Sequence, residues 1–522
     1  MDSQRPRRRL FRIGALAALV IVGAGLRLQA INTVSYWFDE SCSWKTIQMS
    51  FGRMLESITG NVHPPAFYVL ARIWSTLCSD SPASLRVFSI IFGLLTILAA
   101  YWCVWLARST YQLSDAPIEF FAAVMICIHS SHIFLSQQAR MYSMGTFLTL
   151  VVSAMTLQVF KSGGSPALWI GTGIASVLWT MTHYYCLLTA TGLAFGIIAL
   201  LLRSWFTEGW SGALGRKATG CGVAFLVCGA AWSSWIDVFM AQRARVGESY
   251  WIQPLTVDSL TQMLFRQLIG NDVPPPGEPW SLIGLEVWIA VPLLAAFFCG
   301  EVGVLSAFAT IVPLGVAILC SLNGQNILVG RYLIFPQTML LLSWALLVGR
   351  IPKRSLRAII ISGTMAAMAY GTFLELEQRD VCSQYSGLRT ASLRLNELCN
   401  ETDVILVASP ISHVTIQRYA RFPRTVYVKD IGRPYSHFQA GSQLQDREYL
   451  PVASLDALPL DRFFAVDVYD LFGQGTSKEV VPSTHWRQER AERFEEAFGH
   501  PCTLVLREYR RHPIGSEVSP AK

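Results

Sequence analysis

The chain has 522 residues, 52% of them hydrophobic and 15% charged, with a mean hydropathy of +0.39 and a formal net charge of +7. A soluble globular domain carries about 25% charged residues, so this deficit, with 16 Trp and 28 Phe, excludes an ordinary soluble enzyme and places the chain in the membrane class. The basic excess lies at the N-terminus and in short loops, where it reads as a topology signal and not as a nucleic-acid-binding surface.

Taken in order, basic residues between Arg5 and Arg12 precede an apolar run over 13–30. That run is long enough to span a bilayer and no small-residue cleavage site follows it, so a signal anchor is expected. Further spans are expected at 85–107, 118–135, 141–160, 167–181, 184–202, 218–236, 282–299, 302–321, 332–348 and 358–374, about eleven in all. The segment 65–78 is apolar but short, and is expected to lie along the membrane surface. As a crossing it would invert every later loop and put the basic cluster 350–357 outside. With the N-terminus cytoplasmic, the large loop 31–82, the turn 136–140, the loop 237–280 and the C-terminal tail are all extracytoplasmic.

The expected fold is therefore a polytopic α-helical membrane module over 1–375, carrying the outer loops 31–82 and 237–280, followed by a small soluble α/β domain over 376–522. In that domain 403–407, 425–428, 463–466 and 502–506 read as strands, and 489–498 reads as a helix. The 12 cysteines show no Cys-x-x-Cys spacing, and most lie in apolar segments as small core residues. Cys382 and Cys399, in the extracytoplasmic part, are candidates for a disulfide.

Candidate chemistry clusters in the outer loops. Asp39 and Glu40 follow the first span. An adjacent acid pair suits a general base with an orienting partner, half of a metal site, or a plain solvated loop. His63-Pro64-Pro65 opens a helix, with proline where its missing N–H costs nothing; His63 either meets a phosphate or sugar hydroxyl or sits passively at the interface. Arg86 and Arg140 each begin a span, where a cation opposes the helix dipole unless it meets an anion or a lipid headgroup. Tyr142 follows Arg140. His183 and Tyr184 form a tight turn between spans. Arg243, Arg245, Tyr250 and Trp251 offer guanidinium and aromatic surface in the long outer loop, and Arg331 and Tyr332 begin another span. Several arginines converging on one face is the pattern suited to a lipid-linked phosphate.

Taken together, Asp39-Glu40, His63-Pro64-Pro65-Ala66-Phe67-Tyr68, Ser136-Gln137-Gln138-Ala139-Arg140-Met141-Tyr142, His183-Tyr184-Tyr185 and Gly330-Arg331-Tyr332, in that order, resemble the membrane glycosyltransferases of the GT-C fold. The resemblance is to the bacterial, family 39-like group related to protein O-mannosyltransferases and lipid A aminoarabinose transferases, and it covers roughly residues 10 to 350. It implies Asp39 as catalytic base with Glu40 as partner. His63, Arg86, Arg140, Tyr142, His183, Arg243, Arg331 and Tyr332 are then candidates for binding substrate and lipid phosphate. The donor would be a polyprenyl-phosphate sugar, a hexose or pentose, and the acceptor a glycan, lipid or protein, with no nucleic acid involved. The implied setting is a bacterial inner membrane. Gln138 stands where the family pattern has Glu, which leaves a divalent metal an open question and a non-catalytic member a third reading. The rival class is a transporter or flippase, against which stand spans nearly free of charge and halves that do not match.

Overall fold

The computed structural model describes residues 4–111, 117–248, 252–275, 277, 280 and 282–512, so Tyr250 and Trp251 lie outside the described residues. The chain is a multi-pass helical membrane protein that divides into two compact units. One comprises residues 1–29 and 62–377, the other residues 30–61 and 378–522.

Every expected span is helical in the first unit. Among the described residues seven helices can cross a membrane by length and composition: Leu10–Leu28, Pro82–Arg108, Tyr142–Ser162, Tyr184–Glu208, Gly300–Leu322, Gly330–Arg350 and Arg354–Gln384. Two more candidates are broken, Ile118–Ile128 with Ser130–Ser136 at 56° and Gly212–Ser233 with Ile236–Val246 at 63°. The helices Pro166–Thr180 and Leu282–Phe298, of 15 and 17 residues, are shorter than the length a bilayer asks of a straight helix. Ala66–Leu77, with 12 residues, is the short apolar helix expected at 65–78.

Polar groups inside this unit have specific work. Fully buried Arg27 donates from Nη2 to the Ile126 carbonyl at 3.0 Å and from Nη1 to the Cys127 carbonyl at 2.9 Å. These are last-turn carbonyls of Ile118–Ile128, which have no partner within the helix, so a cation from the first helix closes the break. At the far end of Pro82–Tyr111, Arg108 Nη1 donates to both oxygens of the fully buried Glu119, at 2.9 and 3.0 Å. Arg12 approaches the same carboxylate at 3.9 Å, and Lys217 lies 3.8 Å from Glu301.

The second unit is built on a mixed sheet. Its strands are β1 (Val404–Val407), β2 (Val426–Lys429), β3 (Tyr449–Leu450), β4 (Arg462–Tyr469), β5 (Ser477–Lys478), β6 (Trp486–Glu496) and β7 (Cys502–Arg511). The order is β3-β2-β1-β4-β7-β6, with β5 on β4. β1, β2, β3 and β4 pair in parallel, and β5, β6 and β7 join antiparallel. All four segments expected as strands are strands. The segment 489–498, expected as a helix, is most of edge strand β6 instead. Its opposite charges at spacings of four and three (Glu489–Arg493, Arg493–Glu496) mimic a salt-bridged helix face. Ten residues of β7 in register with it override that local signal, and a charged edge strand resists pairing with other chains. No disulfide joins Cys382 to Cys399, and both thiols are buried.

Residues 30–61 are woven into this sheet domain. Phe38 and Cys42 share a hydrophobic cluster with Val414, Val428, Tyr435 and Leu444. Ser41 Oγ and Thr415 Oγ1 lie 2.8 Å apart, and the Tyr36 N–H donates to the Tyr419 hydroxyl at 2.9 Å.

Candidate active site

Three connections at one end of the helical unit bring its predicted residues together. The turn 137–141 follows the Ser130–Ser136 helix. It is fixed by Gln137 Nε2, which donates to the Leu26 and Gln29 carbonyls at 3.3 and 3.4 Å, and by Ser89 Oγ, which donates to the Arg140 carbonyl at 3.1 Å. The His-Pro-Pro turn leads into Ala66–Leu77, whose first N–H donates to the Met181 carbonyl at 2.9 Å and so ties His63 to the turn that carries His183. The third connection is the short helix Gly330–Leu333 ahead of Ile334–Arg350, which carries Arg331 and Tyr332. The Tyr185 hydroxyl, donating to the Ile327 carbonyl, holds its approach.

The side chains meet closely. Arg140 Nη2 lies 3.0 Å from His63 Nε2. The rings of His63 and His183 are 5.4 Å apart, and His183 also faces Tyr332 at 4.8 Å, Phe335 at 5.4 Å and Tyr142 at 5.9 Å. The Arg331 guanidinium lies 5.4 Å from the Tyr332 ring centre. Gly145 makes room for this packing, since a Cβ there would collide with the Phe335 ring. His63, Arg140, Tyr142 and His183 are all buried.

Both imidazoles are neutral. Burial first, then Arg140, His183 and Arg331, hold His63 well below the usual histidine range. Burial, then Arg140 and Arg331, push His183 down to about 3. Their tautomers follow from their partners. A guanidinium only donates, so His63 Nε2 accepts and its proton is on Nδ1. His183 Nδ1 accepts the Tyr185 N–H at 3.1 Å, capping the Tyr184–Glu208 helix, so its proton is on Nε2. That Nε2–H is buried and has no acceptor among the described residues, and neither does anything satisfy the buried Gln138 Oε1. A buried donor without an acceptor costs roughly 1–3 kcal/mol unless a ligand supplies one.

Asp39 and Glu40 lie in the other unit. They occupy the first turn of the Phe38–Gln48 helix, where carboxylates are favoured by the helix dipole. Glu40 is fully buried and its Oε2 accepts the Trp37 N–H at 3.4 Å, the carboxylate half of a capping box. Asp39 is partly exposed, and its carbonyl accepts from Ser43 Oγ at 2.9 Å.

Of the remaining candidates, Arg86 is fully buried in the Pro82–Tyr111 helix. Arg243 is exposed on Ile236–Glu248 and is not brought into the His–Arg–Tyr group; its neighbour Gln242 accepts the Tyr184 hydroxyl instead. Sequence reasoning gave no role to Tyr185, Phe335 or Gln242. Tyr185 was adjacent to a predicted residue, while Phe335 and Gln242 carried no signal beyond apolar or polar helix.

A divalent metal does not fit the helical unit's cluster. Its imidazoles stand beside two guanidiniums, whose charge opposes a cation there. Among the described residues no group of three His, Cys, Asp or Glu side chains is placed to hold a metal.

No protein-family model and no curated sequence matches the chain. Solved structures do. The ArnT of Cupriavidus metallidurans in its apo state superposes with a TM-score of 0.54 at 11% identity, over 87% of this chain and 93% of that one. The same protein bound to undecaprenyl phosphate gives 0.52 at 12% identity, over 94% and 98%. The chain has the GT-C fold. The Archaeoglobus fulgidus oligosaccharyltransferase tethered with an acceptor peptide aligns at 14% identity with a TM-score of 0.46, over 78% of this chain, which spans 63% of that longer protein.

Proposed function

We propose that the chain is an inverting glycosyltransferase that moves a sugar from a polyprenyl phosphate to an acceptor hydroxyl on the extracytoplasmic face of a bacterial inner membrane. One observation carries the donor half of this reading: the buried His63, Arg140 and His183 grouped with the half-buried Arg331, with the unmatched His183 Nε2–H in their midst. Guanidiniums beside imidazoles held neutral, plus an uncommitted N–H donor, form a cradle for an anion. The GT-C fold, and the undecaprenyl phosphate bound to the similar ArnT, favour a lipid phosphate as that anion.

In this mechanism Asp39 takes the proton from the acceptor hydroxyl, and the oxygen attacks the anomeric carbon. The bond from that carbon to the phosphate oxygen breaks, and its electron pair leaves with the polyprenyl phosphate. A single displacement inverts the anomeric centre. Arg140 and Arg331 stabilise the charge that grows on the leaving phosphate, and His183 Nε2–H donates to one of its oxygens. Glu40 caps the helix that presents Asp39. The acceptor is a glycan, lipid or protein hydroxyl. Lys and Arg concentrated in the alternate loops support a cytoplasmic N-terminus and an extracytoplasmic C-terminal domain.

The test is a transfer assay on purified full-length protein with radiolabelled polyprenyl-phosphate sugars, wild type beside Asp39→Asn. Removing a general base costs about 10²–10⁴-fold, so the variant should bind labelled lipid and transfer no measurable sugar. Undiminished turnover by Asp39→Asn would overturn the base assignment. Binding or passage of the lipid across the membrane without cleavage by wild type would overturn the transferase reading in favour of a flippase.

A further inference from the structure

The sheet domain contains a cavity of ≈ 430 Å³ that the transfer mechanism does not use. That volume is in the range of small-molecule sites, about 300–1,000 Å³. Its floor is a closed polar network. Lys45 Nζ donates to Glu448 at 2.6 Å and to Gln417 at 2.8 Å, and Gln417 Nε2 donates to Glu448 at 2.7 Å. Lys45 and Glu448 therefore cancel each other, and the second Glu448 oxygen accepts the Gln445 N–H at 2.8 Å. Two arginines, Arg424 and Arg447, also line the cavity; both are exposed, and neither has a carboxylate at ion-pair distance among the described residues. The site therefore carries two surplus positive charges. Trp44 completes it, its ring held by the Arg418 guanidinium 4.9 Å from the ring centre.

Each part matches a part of one ligand class. An indole offers a rigid apolar face for the C–H face of a pyranose. A carbonyl oxygen can accept two hydrogen bonds, so Gln417 Oε1, bonded by Lys45, can also accept from a sugar hydroxyl. A guanidinium fork suits a planar carboxylate. Position separates this site from the reaction. Trp44, Lys45 and Gln48 lie on the same helix as Asp39, but roughly 140–240° around it and about 8–14 Å further along. A ligand in the cavity is thus on the other side of the helix from the Asp39 carboxylate.

We propose that this cavity is a non-catalytic carbohydrate site that holds an acidic sugar residue of the hexuronate type. It would tether an acidic glycan to the domain that carries Asp39.

The experiment is calorimetric titration of full-length protein in detergent with D-glucuronate, D-glucose and inorganic phosphate. Glucuronate should bind at least tenfold more tightly than either of the others. The double variant Arg424→Gln/Arg447→Gln changes two exposed side chains, so it should keep the wild-type melting temperature and lose at least tenfold in glucuronate affinity. Trp44→Ala should lose affinity for the sugar, and Trp44→Phe should keep most of it. Glucuronate bound no better than glucose, phosphate bound as well as glucuronate, or a double variant that binds like wild type would each overturn the proposal. Binding is read without turnover, so its failure would leave the transferase reading standing, and failure of transfer would leave this site standing.

Discussion

Arg108 and Arg140 are both seated against the Pro82–Tyr111 helix, Arg108 near its end and Arg140 through Ser89 near its start, about 28 Å apart along the axis. Arg108 donates to both oxygens of buried Glu119, while Arg140 donates to a neutral imidazole. At the first end a buried carboxylate meets the guanidinium, and the pair is structural. At the second, burial first and then the neighbouring cations keep two histidines deprotonated, so His183 Nε2–H stays available to a ligand. Similar side chains at two ends of one helix thus serve opposite purposes, and the neighbour, not the arginine, decides which.

The sharpest way to break this comparison is to remove charge at each end. Arg140→Gln should lower transfer by about 10²–10³-fold, the usual cost of losing a preorganised donor to a developing oxyanion, with little change in melting temperature. Glu119→Gln should do the reverse. It leaves the partly buried Arg108 without its carboxylate and should cost about 1–3 kcal/mol of stability, read as a lower melting temperature in detergent, while the folded fraction keeps its turnover. If both variants lost activity and stability in the same proportion, the distinction between the two ends would fail.

The next effect is smaller and tests the single donor. His183→Gln keeps an N–H of comparable reach, and His183→Phe removes it while keeping the aromatic packing against Tyr332 and Phe335. The Phe variant should bind polyprenyl phosphate about tenfold more weakly, equivalent to roughly 1.4 kcal/mol, and the Gln variant should stay near wild type. Equal affinity in all three proteins would remove His183 from the cradle.

These residues were legible to different degrees for physical reasons. The spans follow from composition alone, because an apolar run of about 20 residues has few other fates. His63, Arg140, His183 and Arg331 were visible because each interrupts or starts an apolar run, where a polar residue needs a purpose. Phe335 was not, since its role depends on Gly145 on another helix admitting the ring. The packing of residues 30–61 was also hidden: Phe38 and Cys42 meet Val414 and Val428 across nearly 400 positions, and no local periodicity records such a contact. The same limit explains β6, whose charge spacing spoke for a helix while its partner β7 lay on the far side of a turn.

The smallest predicted effect concerns pH and extends the comparison to the sheet domain, where two buried titratable groups pull in opposite directions. Burial pushes Glu496 up to about 7, although the Leu388 and Phe498 N–H groups, both at 2.9 Å, favour its charged form. Burial, then Lys45, push His413 down to about 3. Glu496 in the folded state holds a proton that the unfolded chain has released, so between about 4.5 and 7 its contribution to stability falls as pH rises. His413 is already neutral when folded, while the unfolded chain binds a proton below about 6.5, so between about 3 and 6.5 its contribution rises with pH. Over the shared window the two slopes oppose each other, and the wild-type domain should show a nearly flat profile. Glu496→Gln should leave a stability that climbs from pH 4.5 to 6.5, and His413→Gln one that declines across the same range. Labelling rates of the buried thiols Cys399 and Cys502 in the full-length protein would report local opening of this domain. Identical pH profiles in wild type and both variants would show that neither group titrates between folded and unfolded states as its burial requires.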